Sequence, residues 1–124
     1  MIRLKSSKPS HVVLNVVDLD RSFEFYHEVL GLARAEKSDN SITFEDFGLV
    51  IQQASEDAKV PKKASLRHQI GLSHLGFLCE DVIEAAKTLR LADVPIVNGP
   101  IRKGGIDYIY LLDPDGNQIE LHTA

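Results

Sequence analysis

Ser10-His11-Val12-Val13-Leu14-Asn15-Val16-Val17-Asp18 and Ser73-His74-Leu75-Gly76-Phe77-Leu78-Cys79-Glu80-Asp81 are two versions of one phrase. In each, Ser-His leads into an apolar, strand-like run, and an Asp follows at the same distance, placed to cap a helix. Behind Asp18, the side chains of Phe23, Tyr26 and Leu30 share one helical face, and Gly31 supplies a helix end. Behind Asp81, Val82, Ala85, Ala86 and Leu89 give the equivalent stripe. Short β-like runs follow in the first copy at Ser41–Asp46 and Leu49–Gln53, with a turn at Phe47-Gly48. The second copy has them at Ile106–Leu112 and Gln118–His122, divided by the Asp113-Pro114-Asp115-Gly116 turn. Gly48, Ile51 and Gln52 match Gly116, Ile119 and Glu120 at a second constant offset. The second copy is longer, and its extra residues are expected at about 98–105.

The expected fold is therefore α+β, two tandem βαβββ modules forming a cupped, mostly antiparallel sheet. Module one is expected at about 9–56 and module two at about 73–124. The polar stretch at about 57–72, with Pro61, Lys62, Lys63, Arg67 and His68, reads as a linker within a single 1–124 domain.

The 124 residues suit one core. Fourteen Lys plus Arg against eighteen Asp plus Glu give a net charge of −4, which speaks against a nucleic-acid partner. The single cysteine, Cys79, excludes an intrachain disulfide framework and suits a reducing compartment. No apolar run has the roughly 18 residues of a membrane span, so a cytoplasmic protein with no membrane partner is expected.

Side chains alternate along strands. Val12, Leu14 and Val16 form the packing set of the first strand, leaving His11, Val13 and Asn15 opposite. The same parity puts His74, Glu120 and Gln52 on the faces turned away from the helices, with His122 one pleat beyond Glu120. Two imidazoles and a carboxylate are a competent set for a divalent cation, with coordination positions left open for water or substrate. Zn²⁺, Ni²⁺, Mn²⁺, Co²⁺ and Fe²⁺ all suit such donors. Tyr108 and Tyr110 share the face of Glu120, and Phe44 is expected to line the same cup. Arg102-Lys103-Gly104-Gly105 reads as a loop at the cavity mouth whose cations would hold an anionic substrate.

The chain resembles the vicinal oxygen chelate superfamily of glyoxalase I, fosfomycin-resistance proteins, methylmalonyl-CoA epimerase, extradiol dioxygenases and bleomycin-resistance proteins. The resemblance is carried by 10–22, by Phe25-Tyr26 to Val29-Leu30-Gly31-Leu32, by Ser73-His74-Leu75-Gly76-Phe77, and by Leu112-Asp113-Pro114-Asp115-Gly116-Asn117-Gln118-Ile119-Glu120-Leu121. It implies one divalent metal held by His11, His74 and Glu120, with Gln52 at the position of a fourth ligand that is commonly Glu. It also implies a small-molecule substrate and a homodimer. Members of the glyoxalase I type carry Arg at the position of Asn15 and Asn at that of Glu56, both contacting glutathione; neither is present here. The expected function is a metal-dependent enzyme of glyoxalase-like lyase or isomerase type on a small oxygenated substrate. Glu120 and Tyr110 are its candidate catalytic residues, and Arg102, Lys103, Tyr108, Phe44 and Asn15 its candidate substrate contacts. Thiol transfer onto an epoxide, as in fosfomycin resistance, is the alternative enzyme. A non-catalytic small-molecule binding protein is the alternative of another class.

Overall fold

In a computed structural model, residues 1–45, 48–59 and 70–124 are described. The expected linker residues Pro61, Lys62, Lys63, Arg67 and His68, and Phe47 of the expected turn, lie outside them. The chain divides into two compact units, Met1–Ala58 and Lys59–Ala124.

The first unit runs β1 (Val12–Val16), α1 (Leu19–Glu24), a π-helical segment (Phe25–Val29), β2 (Arg34–Lys37), β3 (Ser41–Phe44) and β4 (Leu49–Gln53). Asp18 caps α1 by accepting from the Arg21 backbone N–H at 3.1 Å. Gln53 ties the same entry to the sheet, accepting from Leu19 N–H at 3.0 Å and donating to the Val17 carbonyl at 2.7 Å. The π-helical widening was not anticipated. Phe25 and Tyr26 are neighbours in sequence and both are buried, and the longer Leu30 N–H to Phe25 carbonyl bond opens the turn enough to seat them together. Sheet order is β1-β4-β3-β2, with β1 and β4 parallel and the remaining pairs antiparallel. Val16, Tyr26, Ile42, Phe44, Leu49 and Ile51 fill the core under the helix, each full burial contributing about 1.5–3 kcal/mol of transfer free energy.

The second unit repeats the plan: β5 (Leu75–Leu78), α2 (Val82–Leu91), β6 (Ile96–Lys103), β7 (Ile106–Leu112) and β8 (Gln118–His122). Asp81 caps α2 through the Glu84 N–H at 3.0 Å. The order is β5-β8-β7-β6, again with one parallel pair, β5 with β8. Val82, Ala86, Leu89, Ile109, Leu111 and Ile119 are its core. Each unit is thus a βαβββ module, two of its three strand pairings antiparallel, and the fold is α+β.

Two strands were missed by the sequence reading. Arg34–Lys37 is a charged edge strand without apolar alternation. Ile96–Lys103, expected to carry a loop, is a strand that passes its Gly99-Pro100 step through irregular register between Ile96 and Ile101. Only Gly104 and Gly105 turn the hairpin, at φ of 63° and 80°, backbone that glycine adopts without strain. No described helix is long and apolar enough to cross a membrane.

Candidate functional site

The candidate site is the face of the second sheet turned away from α2. Parallel pairing sets Gly76 of β5 opposite Glu120 of β8, and antiparallel pairing sets Tyr110 of β7 opposite Glu120 from the other side. The Glu120 carboxylate consequently lies between two strands that each contribute to its surroundings. Tyr110 donates its phenolic O–H to Glu120 Oε1 at 2.6 Å. His74, immediately before β5, places Nε2 3.7 Å from the same oxygen, and its ring stands edge-on to Tyr110 with centroids 5.7 Å apart. Oε2 lies over Gly76, where a Cβ would come within 3.4 Å of it.

The pair is half-sheltered: the side chains of His74 and Glu120 retain 28% and 15% of their exposure. The separation suits two donors sharing one cation at about 2.0–2.2 Å from each. His74 Nδ1 is engaged by Ser73 Oγ at 2.8 Å, which leaves Nε2 as the ring nitrogen beside Glu120. The Tyr110 phenol is pushed up to about 12, first by its hydrogen bond to Glu120, then by burial and by the carboxylate charge. It is a neutral donor throughout the physiological range. Among the described residues, no three His, Cys, Asp or Glu side chains form a group that could hold a metal by themselves.

The first sheet carries related but different groups. His11 Nδ1 is bonded to Ser10 Oγ at 2.7 Å, as in the second copy. Asn15 and Gln52 are register partners, and Gln52 Nε2 donates to Asn15 Oδ1 at 2.7 Å. The residues opposite one another where the second sheet has Gly76 and Glu120 are Val13 and Val50. By strand register, then, Gln52 stands where the second sheet has His122. The offset that matched Gln52 with Glu120 differs from the strand register by one pleat.

Other expected contacts fall elsewhere. Phe44 is buried within the first unit, its ring 6.0 Å from Phe23 and 6.1 Å from Tyr26. It shares the parity of buried Ile42 and belongs to the helix-side core, not to a ligand-lining face. Arg102 is in β6, opposite Asp107, and holds that carboxylate at 3.1 Å. Asp107 has the parity of core Ile109, so Arg102 is directed to the side away from Glu120. Lys103 ends the strand, exposed and paired with Ile106. Tyr108 does share the face of Tyr110, with its ring 6.2 Å from His122. Asn98 of β6 stands opposite Tyr110, in a stretch whose Asn-Gly-Pro sequence carries no strand signal. Gly76 carries its own signal, since a glycine inside an apolar strand marks close approach of another group, here Glu120 Oε2.

The virulence protein STM3117 of Salmonella typhimurium is 30% identical over 125 residues, covering 97% of this chain and 86% of that protein. A lactoylglutathione lyase of Escherichia coli O157:H7 is 28% identical over 120 residues, covering 90% and 88%. The crystal structure of a glyoxalase/dioxygenase from Nostoc punctiforme has the same fold, with a TM-score of 0.76 at 23% identity over 94% of this chain and 90% of that one. Residues 8–121 match the family profile described as Glyoxalase/Bleomycin resistance protein/Dioxygenase superfamily, and the chain belongs to that superfamily.

Proposed function

We propose that this protein is a divalent-metal-dependent enzyme of the glyoxalase type, a lyase or isomerase acting on a small oxygenated substrate. The observation that carries the reading is the Glu120 carboxylate held between Tyr110 at 2.6 Å and the His74 Nε2 at 3.7 Å. His74 and Glu120 would be two of the ligands, and the superfamily resemblance adds His11, whose Nδ1 is engaged by Ser10 as that of His74 is by Ser73. Gln52 would enter through its Oε1, the lone-pair atom of a neutral amide, while its Nε2 donates to Asn15. When bound, the cation supplies Lewis-acid polarisation of substrate oxygens.

The chain's own residues do the remaining work. Tyr110 fixes one oxygen of Glu120 with its single O–H, and the raised phenol keeps that proton in place through the physiological range. Gly76 keeps the space over Glu120 Oε2 open. Tyr108, Asn98 and His122 extend the same face outward and can orient the substrate. The lactoylglutathione lyase name of the E. coli relative supports a glyoxalase-type reaction.

Elemental analysis of protein purified without chelator tests the reading, together with turnover of small 2-oxoaldehyde–thiol adducts before and after chelation. Near-stoichiometric transition metal that is lost in a folded His74→Ala variant supports it; a full metal complement in that variant overturns it. Thiol transfer onto an epoxide is the second reading, supported by Tyr110 on the face of Glu120. Consumption of fosfomycin with a cellular thiol and Mn²⁺ would select that second reading. Ligand-induced stabilisation that persists in chelator and in Glu120→Ala would instead mark a binding protein.

A further inference from the structure

The two histidines of the proposed site share a detail of geometry. Ser10 Oγ lies 2.7 Å from His11 Nδ1, and Ser73 Oγ lies 2.8 Å from His74 Nδ1. Both pairs stand just ahead of a parallel strand, outside any ladder that would impose the contact. The same ring is gripped in the same way in two copies whose strands have otherwise diverged, Val13 against Gly76 and Val50 against Glu120.

A neutral histidine that ligates a cation through Nε2 carries its ring proton on Nδ1, and that proton needs an acceptor. A serine hydroxyl accepts as readily as it donates. We infer that Ser10 and Ser73 are positioning residues that accept the Nδ1–H of His11 and His74 and so keep each Nε2 available to ligate a cation. The inference rests on the metal-dependent reading above. Without metal, the proton can move to Nε2 and the hydroxyl rotates to donate to Nδ1, so the ring keeps its orientation in both states. A carboxylate in the same place would add a fixed negative charge; the hydroxyl orients the ring while leaving the charge of the site to Glu120.

The experiment is a competitive titration of metal-free protein with Zn²⁺ against a chromophoric chelator, for native protein and for Ser73→Ala, Ser10→Ala, Ser73→Thr and His74→Ala. Each serine-to-alanine change is expected to weaken Zn²⁺ binding about 10-fold or more, with the thermal midpoint of the metal-free protein unmoved. Ser73→Thr, which keeps the hydroxyl, restores the native affinity. If His74→Ala loses Zn²⁺ while both serine-to-alanine variants bind within twofold of native, this inference is overturned and the metal reading stands. If native protein takes no Zn²⁺, or His74→Ala binds as well as native, the metal reading falls and the inference falls with it.

Discussion

Tyr110 and Glu120 face each other across antiparallel β7 and β8, and the phenol donates to the carboxylate at 2.6 Å. The contact favours the neutral phenol, which is why its titration moves from 10.0 to about 12. With the folded value the higher one, the stabilisation is complete below about pH 10 and is lost as pH rises through about 12. In metal-free protein, absorbance titration of the tyrosines should show one group ionising well above the ordinary range. Glu120→Gln should bring it back toward 10. A Tyr110 midpoint unchanged by Glu120→Gln would contradict the assignment.

Gly76 leaves an opening over Glu120 Oε2 that a larger side chain would fill. A Cβ at 3.4 Å is an ordinary contact, so Gly76→Ala is expected to fold and to keep its metal. Gly76→Val adds branches toward the carboxylate while improving strand preference. It should match or exceed native stability in urea yet bind Zn²⁺ about 10-fold more weakly. Unchanged affinity in Gly76→Val would mean that the carboxylate is not confined by this strand.

The order of elements was legible because each level of the sequence agreed. Val12 to Val16 and Leu75 to Leu78 alternate, Asp18 and Asp81 sit where caps belong, and Ile119 and Leu121 point inward so that Glu120 points out. β6 was hidden because Asn98-Gly99-Pro100 carries two backbone breakers, and the sheet absorbs them with irregular register that no local pattern announces. His74, Tyr110 and Glu120 were readable from parity alone. The serine hydroxyls on the histidine rings were not, because a Ser-His pair marks the repeat equally well whether or not the two side chains meet. Phe44 was misplaced although its parity with Ile42 already assigned it to the core.

Phe44 is 1% exposed and touches the aromatic cluster of Phe23 and Tyr26. Phe44→Ala should therefore cost about 3–5 kcal/mol of stability, read as a fall in the urea midpoint. Phe44→Leu should recover most of it. A ligand-lining phenylalanine would give the opposite pattern, with stability retained and binding lost.

Asp113 opens the turn that delivers β8 to its register. It is 4% exposed, and its carboxylate accepts from the backbone N–H groups of Asp115 and Asn117 and from the Asn117 side-chain amide. Asp113→Ala removes the acceptor of these three hydrogen bonds and should cost about 1–3 kcal/mol. The Zn²⁺ affinity of the molecules that remain folded should stay native. A variant of native stability would show that the turn is held by its backbone alone.

Arg102 distinguishes a structural cation from a substrate-binding one. Its guanidinium reaches Asp107 at 3.1 Å across the β6–β7 hairpin, on the sheet side opposite Glu120, with 68% of its side chain exposed. An exposed pair of this kind contributes less than about 1 kcal/mol, and salt weakens it further. Arg102→Ala should leave turnover of an anionic substrate unchanged and move the urea midpoint only slightly. Lys103, the remaining cation of that strand end, has Ile106 as its register partner, on the side of Tyr108. Lys103→Ala is therefore the variant expected to raise KM for an anionic substrate, by a factor that shrinks as ionic strength rises. A rise in KM confined to Arg102→Ala would place substrate on the opposite side of this sheet and rule out a site on the face of Glu120.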